Sequence, residues 1–380
     1  MKVKYKLKTI TPVHIGSGEK LTTLDGFYAN RNWHRVDLDQ VLASRKIDPE
    51  QLAVTLSKRD FDWSSLDQQL NLSSGQHCAY RIPCPEPVGR TEVREAVKNA
   101  FGRPYIPGSS IKGALRTALL GSLILEDGET RQLAAEKLDQ SLQRGRVRRE
   151  WVGQPIEQAL LGKDPNHDLM RAIQVSDTLP IEARRLEMGL AWTVTLSQGQ
   201  DGDQLVQKRQ GQREYKILVE QVPAQETMDL TIKIDPWLFR QTEMEQLGFS
   251  QQQQLLVTQF AQRSRNFSDQ ILKFDGSFFN DYGFDGSIVD FYYDLLDLLD
   301  SLPEGGMLLP VGWGTGWAAK TVTDIVTRED NDLWQEVRNT FRLGRLNVDD
   351  FPKTRRLLYQ GQNPISPLGW VQLTPDEDVD

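Results

Sequence analysis

Residues 105–120 read Tyr105-Ile-Pro-Gly-Ser-Ser-Ile-Lys-Gly-Ala-Leu-Arg-Thr-Ala-Leu-Leu120. Pro104 to Pro107 favours an extended approach, Gly108 a turn, and Ser109 or Ser110 offers a hydroxyl to cap a helix. Beyond them Ile111, Ala114, Leu115, Ala118 and Leu119 recur at helical spacing, so one face is buried. Lys112 and Arg116 lie on the opposite face within the first two turns, where the helix macrodipole favours anions over cations. This combination has two readings. One is an ordinary capped helix with solvated cations; the other is an anion site, most simply for a phosphate.

The composition narrows the class around this helix. A chain of 380 residues, 38% hydrophobic and 26% charged, is expected to be soluble and globular and is long enough for two domains. No apolar run approaches the ~20 residues that cross a bilayer. The start, Met1-Lys-Val-Lys-Tyr-Lys, lacks the apolar core of a signal peptide, so a cytoplasmic protein without membrane contact is expected. Cys78 and Cys84 are too few for a disulfide framework or a zinc site, and His14, His34, His77 and His167 lack metal-ligand spacing. A net charge of −8 argues against a protein that coats nucleic acid with its whole surface. Basic residues nevertheless cluster at Arg144, Arg146, Arg148 and Arg149, and again at Lys353, Arg355 and Arg356. Acid gathers at Asp290, Asp294, Asp297 and Asp300, and in the tail from Asp376 to Asp380. A basic face on an acidic body suits one nucleic-acid strand held within an assembly.

Outward from the helix, residues 2–10 alternate, with Val3, Tyr5 and Leu7 inward, and predict a first strand. The turn Thr11-Pro-Val-His-Ile-Gly-Ser-Gly18 follows, then a hairpin around Phe27 and Trp33 that turns at Asn30-Arg-Asn32. Helical insertions are expected at about 45–90 and 126–170, with a strand from Thr91 to Phe101 between them. Ala172–Thr178, Leu190–Leu196, Lys216–Val222 and Met228–Ile234 read as strands. The last pair reads as a hairpin through Pro223-Ala-Gln-Glu226, and Ser197–Gln212 as a mobile loop. Ile288–Leu302 predicts an amphipathic helix, and Met307–Val311 a strand before the glycine loop Gly312-Trp-Gly-Thr-Gly-Trp317. Strand, helix, hairpin, helix, strand, occurring about twice, is the order of a ferredoxin-like (RRM-like) βαββαβ unit. The expected class is α+β, with one unit in residues 1–190 and a second in 191–380.

Several constellations bear on chemistry. In the Gly312–Trp317 loop, glycines let a backbone approach a ligand and expose N–H groups to phosphate, and the two tryptophans offer stacking surfaces for bases. A wide glycine turn with core tryptophans is the equal alternative. No Gly-Lys-Ser/Thr follows and the spacing is not GxGxxG, so nucleotide hydrolysis is disfavoured. His14 has the chemistry of an acid or base on RNA, although a histidine between valine and isoleucine is more often structural. Asp25, beside Gly26, either caps a turn or holds a metal ion near bound RNA; Asp177 has the same two readings. The stripe Asp290, Asp294 and Asp297 is a solvated helix face.

Four stretches together resemble the RAMP superfamily of CRISPR–Cas proteins, the ferredoxin-like subunits of type III RNA-guided effectors. They are Thr11–Gly18 with Leu24-Asp25 downstream, Tyr105–Leu120, Gly312–Trp317, and Phe351-Pro-Lys-Thr-Arg-Arg356 with Pro367-Leu-Gly-Trp370. The likeness is greatest to the Csm-type member that caps the guide 3′ end of the filament. It implies a chain that binds CRISPR guide RNA inside a ribonucleoprotein, beside target RNA, a backbone RAMP and a large polymerase-like subunit. Gly108, Ser109, Ser110 and Lys112 match the family's RNA-contacting segment, with Arg116 beyond them. Gly312, Gly314 and Gly316 match its glycine-rich loop, which also holds Trp313 and Thr315, and Gly16 and Gly18 belong to the first matching stretch. Asp25 stands where backbone subunits carry an aspartate that cleaves target RNA with a divalent ion such as Mg2+. Three functions follow as expectations: guide-RNA binding; a metal-dependent endoribonuclease acting through Asp25; and metal-independent guide processing through His14.

Overall fold

Lysines alternating with Val3, Tyr5, Leu7 and Thr9 make a two-faced strand, Lys2–Thr9, that buries one face and solvates the other. A computed structural model of the chain describes residues 2–89, 91–143, 148, 151–199, 202–211, 213–344 and 351–376. In it this strand lies near the middle of a five-stranded antiparallel sheet, ordered Met307–Pro310, Trp370–Pro375, Lys2–Thr9, Thr227–Ile234 and Ile173–Val175. With Trp370–Pro375 taken as the fourth strand, the inner order is that of a split βαββαβ unit, extended at one edge by Met307–Pro310. The helices Gly108–Glu126 and Phe260–Asp281 pack on one another, and both pack on Met307–Pro310. Ile111, Leu115, Ala118 and Leu119 are buried, as the helical spacing requires.

The second sheet is seven-stranded, with the path Asn363–Ser366, Thr354–Gln360, Glu187–Gly199, Lys216–Gln221, Val93–Ala96 and Gly16–Leu21. Its strands come from both halves of the chain, and the expected boundary at residue 190 falls inside Glu187–Gly199. Lys216–Gln221 and Thr227–Ile234 do not form the expected hairpin, because each belongs to a different sheet. The chain changes sheets between them. Thr9 Oγ1 donates to Pro223 O (2.6 Å) and accepts from Glu226 N–H (2.9 Å), which holds the crossing segment away from a hairpin turn. Most of the stretch expected as a mobile loop is also strand. Gly202–Gln207 pairs antiparallel with Glu187–Gly199 and alternates exposed with half-buried residues.

The first insertion is larger and more mixed than the expected helical segment. It starts at Gly26, where Gly26–Ala29 and Asn32–Val36 form the anticipated hairpin, with Asn30 (φ 51°) and Arg31 (φ 58°) left-handed at its turn. Cys78–Pro83 adds a third strand, and Phe27, Val41, Leu52, Trp63 and Leu72 give the insertion a core of its own. The segment after Glu126 holds the helices Gly128–Gln143 and Gln154–Leu161. Gly286–Asp300 buries Leu295 and Leu299 and exposes Asp290, Asp294 and Asp297, the solvated stripe read from the sequence.

Candidate nucleic-acid interface

Segments that pass between the two sheets lie side by side and form a seam. Residues 10–15 lead from Lys2–Thr9 to Gly16–Leu21, residues 222–226 return to the first sheet, and residues 367–369 do so again. Val13 and Val222 bridge, Gly369 N–H donates to Pro12 O (2.9 Å), and Trp370 N–H donates to Thr11 Oγ1 (2.8 Å). The glycine loop is stitched to the same place. Val311 N–H donates to Gly369 O (2.7 Å) and Trp313 N–H to His14 O (2.9 Å). At Gly312 (φ 88°) a Cβ would lie 2.6 Å from His14 O, so only glycine lets the loop backbone approach this closely. Thr11–Gly18, the glycine loop and Pro367–Trp370, far apart in sequence, are thus one structural unit. Gly16 pairs with Ala96 at its edge, and Gly18 takes a left-handed turn (φ 99°) in a strand exposed from Gly16 to Lys20.

The charge at the seam is cationic. The guanidinium of Arg94 sits 4.9 Å from the centroid of the half-buried Trp313 ring, and that of Arg356 sits 4.7 Å away. Neither makes an ion pair with a described residue. Burial and then the charge of Arg94 push the Arg356 pKa down, with Tyr215 opposing them. Lys320 caps the loop, donating to Gly312 O (2.6 Å). Beyond the loop a groove of about 1130 Å³ is lined by Lys208, Arg209, Arg342 and Lys353, with Trp317 and Phe351 as its aromatic wall and no carboxylate among the described residues of its lining. Trp317 packs edge-on against Phe351 at 5.0 Å.

The helix start differs from its sequence reading. Neither serine caps it: Pro107 is the N-cap, and Gly108 N–H donates to Asp177 Oδ1 (2.7 Å). Gly108 is pressed on the strand end, where a Cβ would lie 2.4 Å from Val175 O, so the carboxylate reaches across in place of a local hydroxyl. Asp177 is therefore a cap, and the positive end of the helix already holds an anion of the protein itself. Arg116 is also committed, through Nε to Glu157 (2.8 Å) and Nη1 to Asp168 (2.7 Å), which tie the helix to the second insertion. Ser109 stays exposed, Ser110 is half-buried, and half-buried Lys112 makes no ion pair with a described residue. Burial is the main cause that lowers the Lys112 pKa; Asp168 opposes it.

Neither expected catalytic group is poised for chemistry. His14 is 2% exposed, its Nδ1 lies 2.7 Å from Glu220 O, and its ring meets Trp313 edge-on at 5.9 Å. Burial pushes its pKa down to about 4, helped by Arg94 and Lys98, so near neutrality it is an uncharged support beneath the tryptophan. Below it, buried Glu220 accepts from Tyr80 Oη (2.5 Å), Ala96 N–H (3.1 Å) and Lys98 Nζ (2.7 Å). Asp25 Oδ2 accepts from Thr22 N–H (2.8 Å) and Thr22 Oγ1 (3.0 Å), while Oδ1 pairs with Arg35 (3.3 Å). It caps its own turn and belongs to no group of three or more metal-ligating side chains among the described residues. It does not fit a Mg2+ site. In the basic stretch Lys353–Arg356, Arg355 is 4% exposed, with Nε on Asp275 Oδ1 (2.6 Å), and is a core residue. Arg144, Arg146 and Arg149 lie outside the described residues. Sequence reading missed Arg94: nothing in a short β-strand signals that one of its side chains meets a distant tryptophan.

The sequence profile of the RAMP superfamily matches residues 6–319, and the chain belongs to that superfamily. It is similar to the CRISPR system Cms protein Csm5 of Streptococcus thermophilus, 27% identical over 205 residues, 50% of this chain and 55% of that protein. It is also similar to the Csm5 protein of Methanocaldococcus jannaschii, 23% identical over 401 aligned positions, 98% of this chain and 88% of that one. The fold matches a chain of the Csm–crRNA–target RNA ternary complex of a type III-A CRISPR-Cas system, with a TM-score of 0.68, 23% identity and coverage of 98% and 100%. It matches the crystal structure of T. onnurineus Csm5 with the same TM-score, 20% identity and coverage of 96% and 99%. No helix among the described residues is long and apolar enough to cross a membrane.

Proposed function

We propose that this chain is a guide-RNA-binding subunit of a type III CRISPR effector complex in the cytoplasm. There it holds the guide strand beside its target RNA and neighbouring subunits, and contributes no cleavage. The observation that carries this reading is the Arg94–Trp313–Arg356 cluster, two arginines without an ion pair to any described residue around one half-buried tryptophan. Cations free of protein carboxylates are available to phosphates, and a tryptophan face stacks on any base. Lys112 and Ser109 at the helix start and the basic groove beyond Trp317 lengthen the same footprint. Such contacts are indifferent to base sequence, as a subunit that serves many guides requires. The likeness to subunits of Csm complexes supports the choice of partner.

The test is a filter-binding titration of guide RNA, with the chain alone and in its complex, across a range of salt. Trp313→Ala should weaken binding by about 1–3 kcal/mol, the usual worth of one stacked base. Arg94→Ala with Arg356→Ala should lower the salt slope by about 1 for each lost phosphate contact. Unchanged affinity and slope in both variants would sink the assignment of this seam.

A further inference from the structure

Between the first insertion and the second sheet lies a cavity of about 330 Å³ outside the Trp313 cluster. Met188, Leu358, Tyr359 and the exposed Ile365 form its apolar walls, and the Tyr359 ring is fixed by stacking on Trp192 at 4.7 Å. Two polar side chains, Glu187 and Gln221, face each other across paired strands and line the same cavity. Gln221 is 2% exposed, and its Nε2 donates to Glu187 Oε1 at 2.9 Å. Its Oε1 is buried without a hydrogen-bond partner among the described residues. The reverse amide orientation would set carbonyl against carboxylate, so the bond to Glu187 decides which end is left over. Room for the amide comes from Gly189, where a Cβ would lie 2.1 Å from Gln221 Oε1.

Outside their mutual hydrogen bond, the pair's oxygens, the Gln221 carbonyl and the second Glu187 oxygen, are both acceptors, and one Gln221 Nε2 hydrogen is left as a donor. A buried acceptor without a donor is unfavourable, so a flat apolar ligand that brings two N–H donors would relieve the site. Among the standard nucleobases, guanine alone has two adjacent donors, N1–H and N2–H, on its Watson–Crick edge. Adenine, cytosine and uracil each set a lone pair against one of the acceptors. Arg31 lines the cavity as well, a cation suited to a nucleotide's phosphate and unfavourable to an incoming guanidinium or ammonium group. We propose that this cavity binds the base of a guanine nucleotide, with Glu187 and Gln221 accepting from its N1–H and N2–H groups. The base belongs to an RNA strand or to a free nucleotide, since the recognised chemistry is the same.

Calorimetric titration of the full chain with the four nucleoside monophosphates, and with short single-stranded RNAs holding one guanine or none, tests this. Guanosine monophosphate or the guanine-containing strand should bind at least tenfold more tightly than its counterparts. Preference in the strand alone identifies RNA as the source, and preference in both identifies the free nucleotide as a ligand too. Glu187→Gln should reduce the preference tenfold or more and leave guide binding at Trp313 unchanged. Gly189→Ala should act likewise by displacing Gln221, with a thermal melt reporting whether it folds. Equal affinity for the four bases, an unaltered preference in Glu187→Gln, or saturable binding of arginine amide in place of the guanine nucleotide would overturn the proposal.

Discussion

The helix start at Gly108 and the seam at Trp313 are built from the same kinds of residue: glycines, hydroxyls and cations. They differ in what the charges face. At the helix start Asp177 takes the Gly108 N–H, and Glu157 and Asp168 take Arg116. At the seam Arg94 and Arg356 face a tryptophan and each other. The same contrast holds between neighbours on one strand. Arg355 points inward to Asp275, and Arg356 points outward to Trp313. A cation marks a ligand site only where the fold supplies no counter-charge.

The sharpest way to break this contrast is to exchange the roles of Arg355 and Arg356. Arg355→Ala leaves Asp275 buried and unpaired, so unfolding in denaturant should show a loss of about 3–5 kcal/mol. Arg356→Ala should stay within about 0.5 kcal/mol of the parent in the same measurement. Equal losses would mean that the two arginines are not divided between core and ligand.

His14 sharpens the contrast through pH. Its folded pKa, about 4, lies below the ordinary 6.5, so between these values the unfolded chain binds a proton that the native chain refuses. Stability is therefore lost as pH falls from 6.5 toward 4 and is insensitive to this group above that window. Denaturant titrations should find roughly 2 kcal/mol less stability at pH 5 than at pH 7. In His14→Gln this component should vanish; its persistence would assign the pH dependence to another group.

The smallest effects separate the two cations of the helix. Lys112→Ala should reduce the salt slope of guide binding by about 1 with little effect on stability. Arg116→Ala should leave the slope alone and cost about 1 kcal/mol of stability, since its partners are only partly buried carboxylates. A salt slope that responds to Arg116 and not to Lys112 would reverse the assignment.

What was legible in the sequence was local. Alternation in residues 2–9, helical spacing after Gly108, the Asn30-Arg31 turn and the glycine loop after Met307–Pro310 each follow from a few adjacent residues. What escaped was set by distant parts of the chain. Nothing near Pro223 says that Thr9 will hold that segment and send the next strand to another sheet. The serines after Gly108 have the chemistry of a cap, but Asp177, brought by another strand, displaces them. Of the candidate site, the glycine loop and Lys112 were visible, while Arg94 was not, because its partner lies in a different part of the fold. The family resemblance covered that gap by linking stretches that physics alone left separate.

The seam also sets an order of events while the chain is being made. Lys2–Thr9 waits for partners that emerge much later: Thr227–Ile234 on one side and Trp370–Pro375 on the other. Trp370 reaches back to Thr11 across 359 positions, so the first sheet closes only when Trp370–Pro375 has left the ribosome. Until Thr227–Ile234 emerges the first strand has two open edges, and one stays open until Trp370–Pro375 follows, a state prone to pairing with other chains. Its alternating lysines then act as protection during synthesis: they keep a waiting strand solvated, and three of them remain exposed after closure.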